Sequence, residues 1–236
     1  MVKSYVCFDL ETTGLCVEED HILEIGAVKV ADGKVVDRFS KFNRQELPIS
    51  PLITNLTGIT DEMVADAQEG EEVLRQFVDF CEEHILVGHN IMFDYRFTKR
   101  FAKMCGLPFE KRGIDTLKIA RKVHKDIPSK SLECLCSHYG IINASAHRAY
   151  HDALATAKLY QTLGHFFYGA ESRLFEPQPL AYKEKKVAPI TNKQKVYLID
   201  LLKYHKIEIN SDIDAMTKSE ASRTIDKIIL HNGKMK

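Results

Sequence analysis

The chain has 236 residues, room for one domain of about 150–200 residues and a smaller unit. With 44% apolar and 28% charged residues it is composed like an ordinary globular protein, which excludes a disordered or fibrous chain. Formal net charge is zero but unevenly spread: residues 183–236 hold 12 Lys/Arg against 7 Asp/Glu, and the first 182 residues hold 21 against 26.

In chain order, Tyr5 to Leu10 is predicted to be a strand that runs into an acidic segment, Asp9-Leu10-Glu11. Ile22–Val30 and Lys34–Phe42 are predicted as two further strands joined by a hairpin at Ala31-Asp32-Gly33. Pro48 and Pro51 interrupt the pattern, and helices are predicted at Glu62–Ala67 and Glu71–Glu83. Ile85-Leu86-Val87 is a short apolar strand leading to Gly88-His89-Asn90, followed by a helix from about Tyr95 to Cys105. Apolar segments at Ile114–Val123 and Leu132–Tyr139 precede a long helix from about Tyr150 to Tyr168. Three strands followed by alternating strands and helices predict an α/β domain with a mixed sheet.

The prolines at 177, 179 and 189 and the run Lys183-Glu184-Lys185-Lys186 predict an extended linker. Thr191-x-x-Gln194 and Thr217-x-x-Glu220 are capping-box signatures, each heading a helix. The expected organisation is residues 1–170 as the main domain, 171–189 as linker and 190–236 as a small helical module. The first module helix would bury Tyr197, Leu198, Leu201 and Leu202, and the second Ala221, Ile225, Ile228 and Ile229. The module's positive balance suits either phosphate contacts or a plain solvated helical face.

The six cysteines form no Cys-x-x-Cys pair, so reduced, buried thiols are expected. No apolar run approaches the roughly 20 residues of a membrane span, and the N-terminal residues read as a strand, not a signal peptide. The expectation is a cytoplasmic protein with no membrane partner.

Chemistry concentrates in three places. Residues two apart on a strand share a face, so Asp9 and Glu11 project together while Phe8 and Leu10 enter the core. Adjacent carboxylates repel unless a cation lies between them; taken alone, the pair fits a metal site or a solvent-facing strand edge equally well. Thr12-Thr13-Gly14 adds hydroxyls, amides and a tight backbone where a phosphate or sugar could approach. Asp94 begins a helix, where a plain N-terminal acid is the competing reading. His147 precedes the long helix and Asp152 lies in its first turns; His147 is the better candidate base and His151 the fallback. His89 is expected to orient its loop through hydrogen bonds. An all-oxygen ligand set favours Mg²⁺ or Mn²⁺ over zinc.

The segments Phe8-Asp9-Leu10-Glu11-Thr12-Thr13-Gly14, His89-Asn90-x-x-Phe93-Asp94 and His147-Arg148-Ala149-x-His151-Asp152-Ala153 resemble the three exonuclease motifs of the DEDD superfamily. The histidine five residues before the last aspartate matches its DEDDh branch, which holds the proofreading epsilon subunits, ribonuclease T and oligoribonuclease. Leu56-Thr57-Gly58-Ile59-Thr60 and Leu86-Val87-Gly88-His89-Asn90 are similar to the DnaQ-like, epsilon-type group. The resemblance covers about residues 2–168. It implies a ribonuclease H-like fold, a mixed β-sheet flanked by helices, and metal-dependent removal of nucleotides from 3′ ends. It further implies two divalent cations, Mg²⁺ or Mn²⁺, with Asp9 bridging both, Glu11 and Asp152 on the first and Asp94 supporting the second. By the same resemblance His147 is the general base, and Thr12 and Leu15 meet the terminal nucleotide; for Leu15 a plain core leucine is the alternative. DNA 3′ ends are the favoured substrate, with RNA the alternative. A DNA polymerase or another replication or repair protein is the implied partner. A catalytically silent nucleic-acid-binding scaffold is the reading from a different class, and four retained, mutually repelling carboxylates argue against it.

Overall fold

The structure is a computed structural model that describes residues 1–183, 188–209 and 212–234. It divides into two compact units, Met1–Tyr182 and Lys183–Lys236.

The first unit is built on a six-stranded mixed sheet. Its strands are β1 (Tyr5–Thr12), β2 (Ile22–Ala31), β3 (Lys34–Phe42), β4 (Leu86–Gly88), β5 (Arg112–Asp115) and β6 (Gln178–Pro179). The sheet order is β3-β2-β1-β4-β5-β6. The first three strands form an antiparallel meander, and β4 and β5 join parallel to β1. Around the sheet lie α1 (Pro51–Thr57), α2 (Asp61–Ala65), α3 (Gly70–Cys81), α4 (Met92–Met104), α5 (Thr116–Val123), α6 (Leu132–Tyr139) and α7 (Ala149–Phe167). This is the mixed α/β architecture expected, with helices on both faces.

The alternation of β1 divides the core. Val6, Phe8 and Leu10 pack with Val73, Leu74 and Phe77 of α3 and Tyr95 and Phe97 of α4. Tyr5 and Cys7 face the other way, with Val28 and Val30 of β2, onto Leu159, Tyr160 and Leu163 of α7. By the same period Asp9 and Glu11 continue the α7 face beyond the apolar residues. Along this side β1 thus changes from apolar to acidic toward its C-terminal end.

Some boundaries depart from the sequence-based expectation. The segment punctuated by Pro48 and Pro51 contains α1: Pro51 occupies its first turn, Ser50 caps it through Ile53 N–H, and Gly58 ends it at φ 71°. A proline there starts a helix, because its missing N–H falls among groups left unpaired anyway. Helix α4 begins at Met92, three residues earlier than expected, which puts Asp94 in its first turn. The linker expected to begin at residue 171 also starts later. Residues 172–175 form a 3-10 turn that buries Phe175, and β6 pairs with β5. Leu180 and Tyr182 pack against the core, so apolar burial keeps this stretch with the first unit. The charged run expected in the linker lies, from Glu184 to Lys186, outside the described residues.

In the second unit both predicted capping boxes are formed, at Thr191 with Gln194 and at Thr217 with Glu220, heading α8 (Asn192–His205) and α9 (Lys218–Asn232). Leu198, Leu201, Leu202, Ile225 and Ile228 make a small core closed by Met216. Tyr197, expected inside, is 37% exposed.

Candidate active site

The four acidic residues come from three elements, β1, α4 and α7, and meet near the C-terminal end of β1. Asp9 and Glu11 come from β1 itself. Beyond Cys7 and its partner Val87, β1 runs past the end of β4. There the Leu10 N–H donates to Asp94 Oδ1 at 3.1 Å, so α4 is tied to β1 by the carboxylate itself. Asp152 lies in the first turn of α7, 8% exposed. Its Oδ2 accepts the His147 N–H at 2.8 Å and its Oδ1 accepts the Asn143 side-chain amide at 2.5 Å. His147 itself is held in the left-handed region, at φ 62°.

Metal-ligating atoms of Glu11, His147 and Asp152 all lie within 4.8 Å of one another. The half-buried His151 ring lies edge-on against Tyr150 instead, at 5.3 Å. His147 and not His151 is therefore the histidine brought to the carboxylates.

Electrostatics tell the same story. Burial, and then the charges of Asp94, Asp152, Glu11 and Glu24, push the Asp9 carboxyl well above the usual carboxylate range. Burial, followed by Asp152 and Glu24, pushes Glu11 up to about 8, against an opposing pull from Arg148. Burial raises Asp94 as well, opposed by the Leu10 N–H. Asp152 is raised by burial despite the amide of Asn143 and the N–H of His147. Four carboxyls that all favour the protonated form, presenting only oxygen ligands beside a histidine, fit hard divalent cations, which would take the place of the protons.

The loop after β1 is a closed unit. Thr13 N–H donates to the His21 carbonyl, the Thr13 hydroxyl to Asp20 Oδ1, and Cys16 N–H to Asp20 Oδ2. A Cβ on Gly14 would come within 2.5 Å of the Asp20 carboxylate, so glycine is needed for this closure. Thr12 is buried and its hydroxyl donates to the Gly14 carbonyl at 2.6 Å. Leu15 projects from the loop at 85% exposure, which removes the core-leucine alternative and leaves the side chain available to a substrate. A cavity of about 510 Å³ lies behind the loop, lined by Thr13, His21, Asn43 and Leu74, and includes none of the four acids or His147.

His89 supports from behind. Its Nδ1 meets the Thr116 hydroxyl and its Nε2 the Lys130 carbonyl, each at 2.8 Å, and burial lowers its pKa. Both ring nitrogens are thus engaged in orienting the loop. Asn90, at φ 68°, donates its N–H to Asp115, which also caps α5.

Sequence reasoning missed Asn143 and Glu24. Glu24, 1% exposed, accepts from Arg148 and from Ala149 N–H. A charged residue in the apolar run Ile22–Val30 was the available signal for it. Asn143, in a polar loop, gave none.

The chain is similar to several known proteins. The family model RNase_T, described as exonuclease, matches residues 6–160. The PolC-type DNA polymerase III of Caldanaerobacter subterraneus subsp. tengcongensis is 44% identical over 156 residues, which are 66% of this chain and 11% of that protein. The PolC-type enzyme of Bacillus cereus is 41% identical over 160 residues, with the same shares. The chain therefore spans about a tenth of the length of these curated relatives. Among solved structures, exonuclease X in complex with 5′ overhanging duplex DNA is 29% identical. That likeness has a TM-score of 0.55 and covers 69% of this chain and 92% of that one. E. coli exonuclease I in complex with a dT13 oligonucleotide shares the fold at TM-score 0.63, with 19% identity over 74% of this chain and 43% of that one. With the family model matching residues 6–160, more than half of the chain, this chain belongs to the exonuclease family.

Proposed function

We propose that the chain is a metal-dependent 3′→5′ exonuclease that shortens single-stranded or frayed DNA from its 3′ end. The observation that carries this reading is the convergence of Glu11, His147 and Asp152 within 4.8 Å, beside Asp9 and Asp94. Asp9, Glu11, Asp94 and Asp152 would hold two divalent cations, Mg²⁺ or Mn²⁺. What the cations supply is charge neutralisation at the scissile phosphate and acidification of the attacking water. His147 would take the proton from the attacking water at a ring nitrogen, the role of a general base. Its backbone bond to Asp152 fixes where the ring can reach. Leu15, exposed at the rim, packs against the terminal base, and Thr12 and its loop backbone face the sugar.

DNA is favoured over RNA because relatives of 44% and 41% identity are PolC-type DNA polymerases and a solved structure of 29% identity is an exonuclease in complex with 5′ overhanging duplex DNA. The same relatives support a replication or repair setting, with a polymerase as candidate partner. Residues 1–182 form the catalytic unit and the helical residues from 188 onward an accessory one. The test is an assay of 5′-labelled single-stranded DNA and RNA of matched sequence with Mg²⁺, Mn²⁺ or EDTA. Stepwise 3′ shortening that EDTA stops is expected, faster on DNA. Cleavage of neither strand with either metal would overturn the reading.

A further inference from the structure

The face of the sheet that carries the carboxylates is arranged in cross-strand pairs. Tyr5 lies opposite Val30, Cys7 opposite Val28, Asp9 opposite Gly26 and Glu11 opposite Glu24. Two apolar pairs therefore give way to two pairs that α7 touches directly. At Gly26 an added Cβ would come within 2.0 Å of both Ala149 C and Tyr150 N, so the backbone of α7 rests on the bare strand. One step further along, Glu24 holds the start of the same helix. Its Oε2 accepts Ala149 N–H at 3.2 Å and Arg148 Nε at 3.1 Å, and its Oε1 accepts Arg148 Nη2 at 3.2 Å. The guanidinium also lies 5.2 Å from the centre of the Phe42 ring, and Phe42 pairs with Glu24 across β2 and β3.

Stability does not call for a carboxylate at this position. Like charges directly opposite on a ladder repel, and a buried ion pair is seldom better than apolar residues of similar volume. Arg148 provides no side-chain cap for its own helix, and Glu24 caps it through Ala149 N–H from 125 residues away. Arg148 is flanked by His147, and Asp152 is four residues on. A shift of the Arg148–Ala149 peptide along or away from β2 would carry both functional groups with it.

We infer that Glu24 is a positioning residue: through the Arg148 fork and Ala149 N–H it fixes the height and register of α7 on β2, so that His147 and Asp152 meet Glu11. This rests on the exonuclease reading above. Glu24 touches neither substrate nor the reacting atoms, and acts through Arg148 and the helix terminus.

The experiment compares the full chain with Glu24→Gln, Arg148→Gln, the double variant and Arg148→Lys. Readouts are single-turnover rate and KM on a 5′-labelled DNA oligonucleotide in Mn²⁺, and Mn²⁺ binding to the metal-free protein by calorimetry. Glu24→Gln is expected to lower the rate and weaken Mn²⁺ binding by about 10- to 100-fold while leaving KM within about twofold. The double variant is expected to be no worse than the poorer single, since both changes break one linkage. Arg148→Lys, which keeps the charge without the fork, is expected to fall between parent and Arg148→Gln. If Glu24→Gln does not fold, the two Arg148 variants decide by the same readouts. Rates and Mn²⁺ affinities within twofold of the parent, or additive losses in the double variant, would overturn the inference. A parent protein inactive on DNA and RNA would instead sink the exonuclease reading, and Mn²⁺ affinity would still decide the positioning role.

Discussion

The backbone N–H of His147 donates to Oδ2 of Asp152 at 2.8 Å, so the proposed base and the last acid of the third motif form one unit. Because the bond comes from the backbone, His147→Ala keeps it and removes only the imidazole. The single-turnover rate should fall by about 10²–10⁴-fold while Mn²⁺ affinity stays within a few-fold. An unchanged rate would transfer the role to His151.

Asp9 is the carboxylate most burdened by its neighbours. Asp9→Asn keeps the shape and removes one charge from the cluster. Activity should be lost, while the metal-free protein should melt a few degrees higher than the parent, since about 1 kcal/mol moves a domain of this size by roughly 2–4 °C. Melting curves in EDTA, set beside the nuclease assay, check both halves. Retained full activity would remove Asp9 from the site.

Glu11 gives a pH dependence whose sign is fixed. Its ordinary value of 4.5 is raised to about 8 in the folded protein, so the folded state binds the proton more tightly than the unfolded chain. The stabilisation is complete below about 4.5 and is lost as pH rises through about 8. In EDTA the melting temperature should therefore fall between about pH 5.5 and 8.5, and Mn²⁺ should restore it most at the upper end. A melting temperature that rises with pH in EDTA would contradict the burial of this carboxyl.

Leu15 is 85% exposed, so Leu15→Ala should change stability by less than about 0.5 kcal/mol. If the side chain meets the terminal base, KM should rise severalfold in the oligonucleotide assay. No change in KM would leave Leu15 without a role in binding.

Ending the chain after Tyr182 keeps the whole first unit, including the Tyr182 hydroxyl bond to Glu18. The shortened protein should fold and cleave. If the basic helical unit grips phosphates, oligonucleotide affinity should weaken and its salt dependence flatten when that unit is removed. Affinity unchanged across salt concentrations would point to a protein partner for the helices.

Much of the site was legible before any coordinates, because its signals are local. The period of two on β1 places Asp9 and Glu11 on one face, and the resemblance to the exonuclease motifs points to Asp94, His147 and Asp152. Both capping boxes of the second unit were equally readable, since each is completed within four residues. Helix α1 is not legible in the sequence, because Pro51 has the look of a break and instead starts its first turn. The late linker boundary was missed because Phe175 and Leu180 reveal their burial only against residues far earlier in the chain.

What only the tertiary structure decided was how the pieces meet. The motif already points to His147 over His151, but that the His147 ring reaches Glu11 depends on how α7 and the loop before it pack on the sheet. The docking of Arg148 and Ala149 on Glu24 and Gly26 joins positions more than 120 residues apart. Sequence by itself determined β1 to β4 and the helices α2, α3, α4, α7, α8 and α9, because backbone period and capping act within a few residues, and motif resemblance singled out the acids. Their convergence comes from strand register and helix packing, which depend on contacts between elements brought together only by folding.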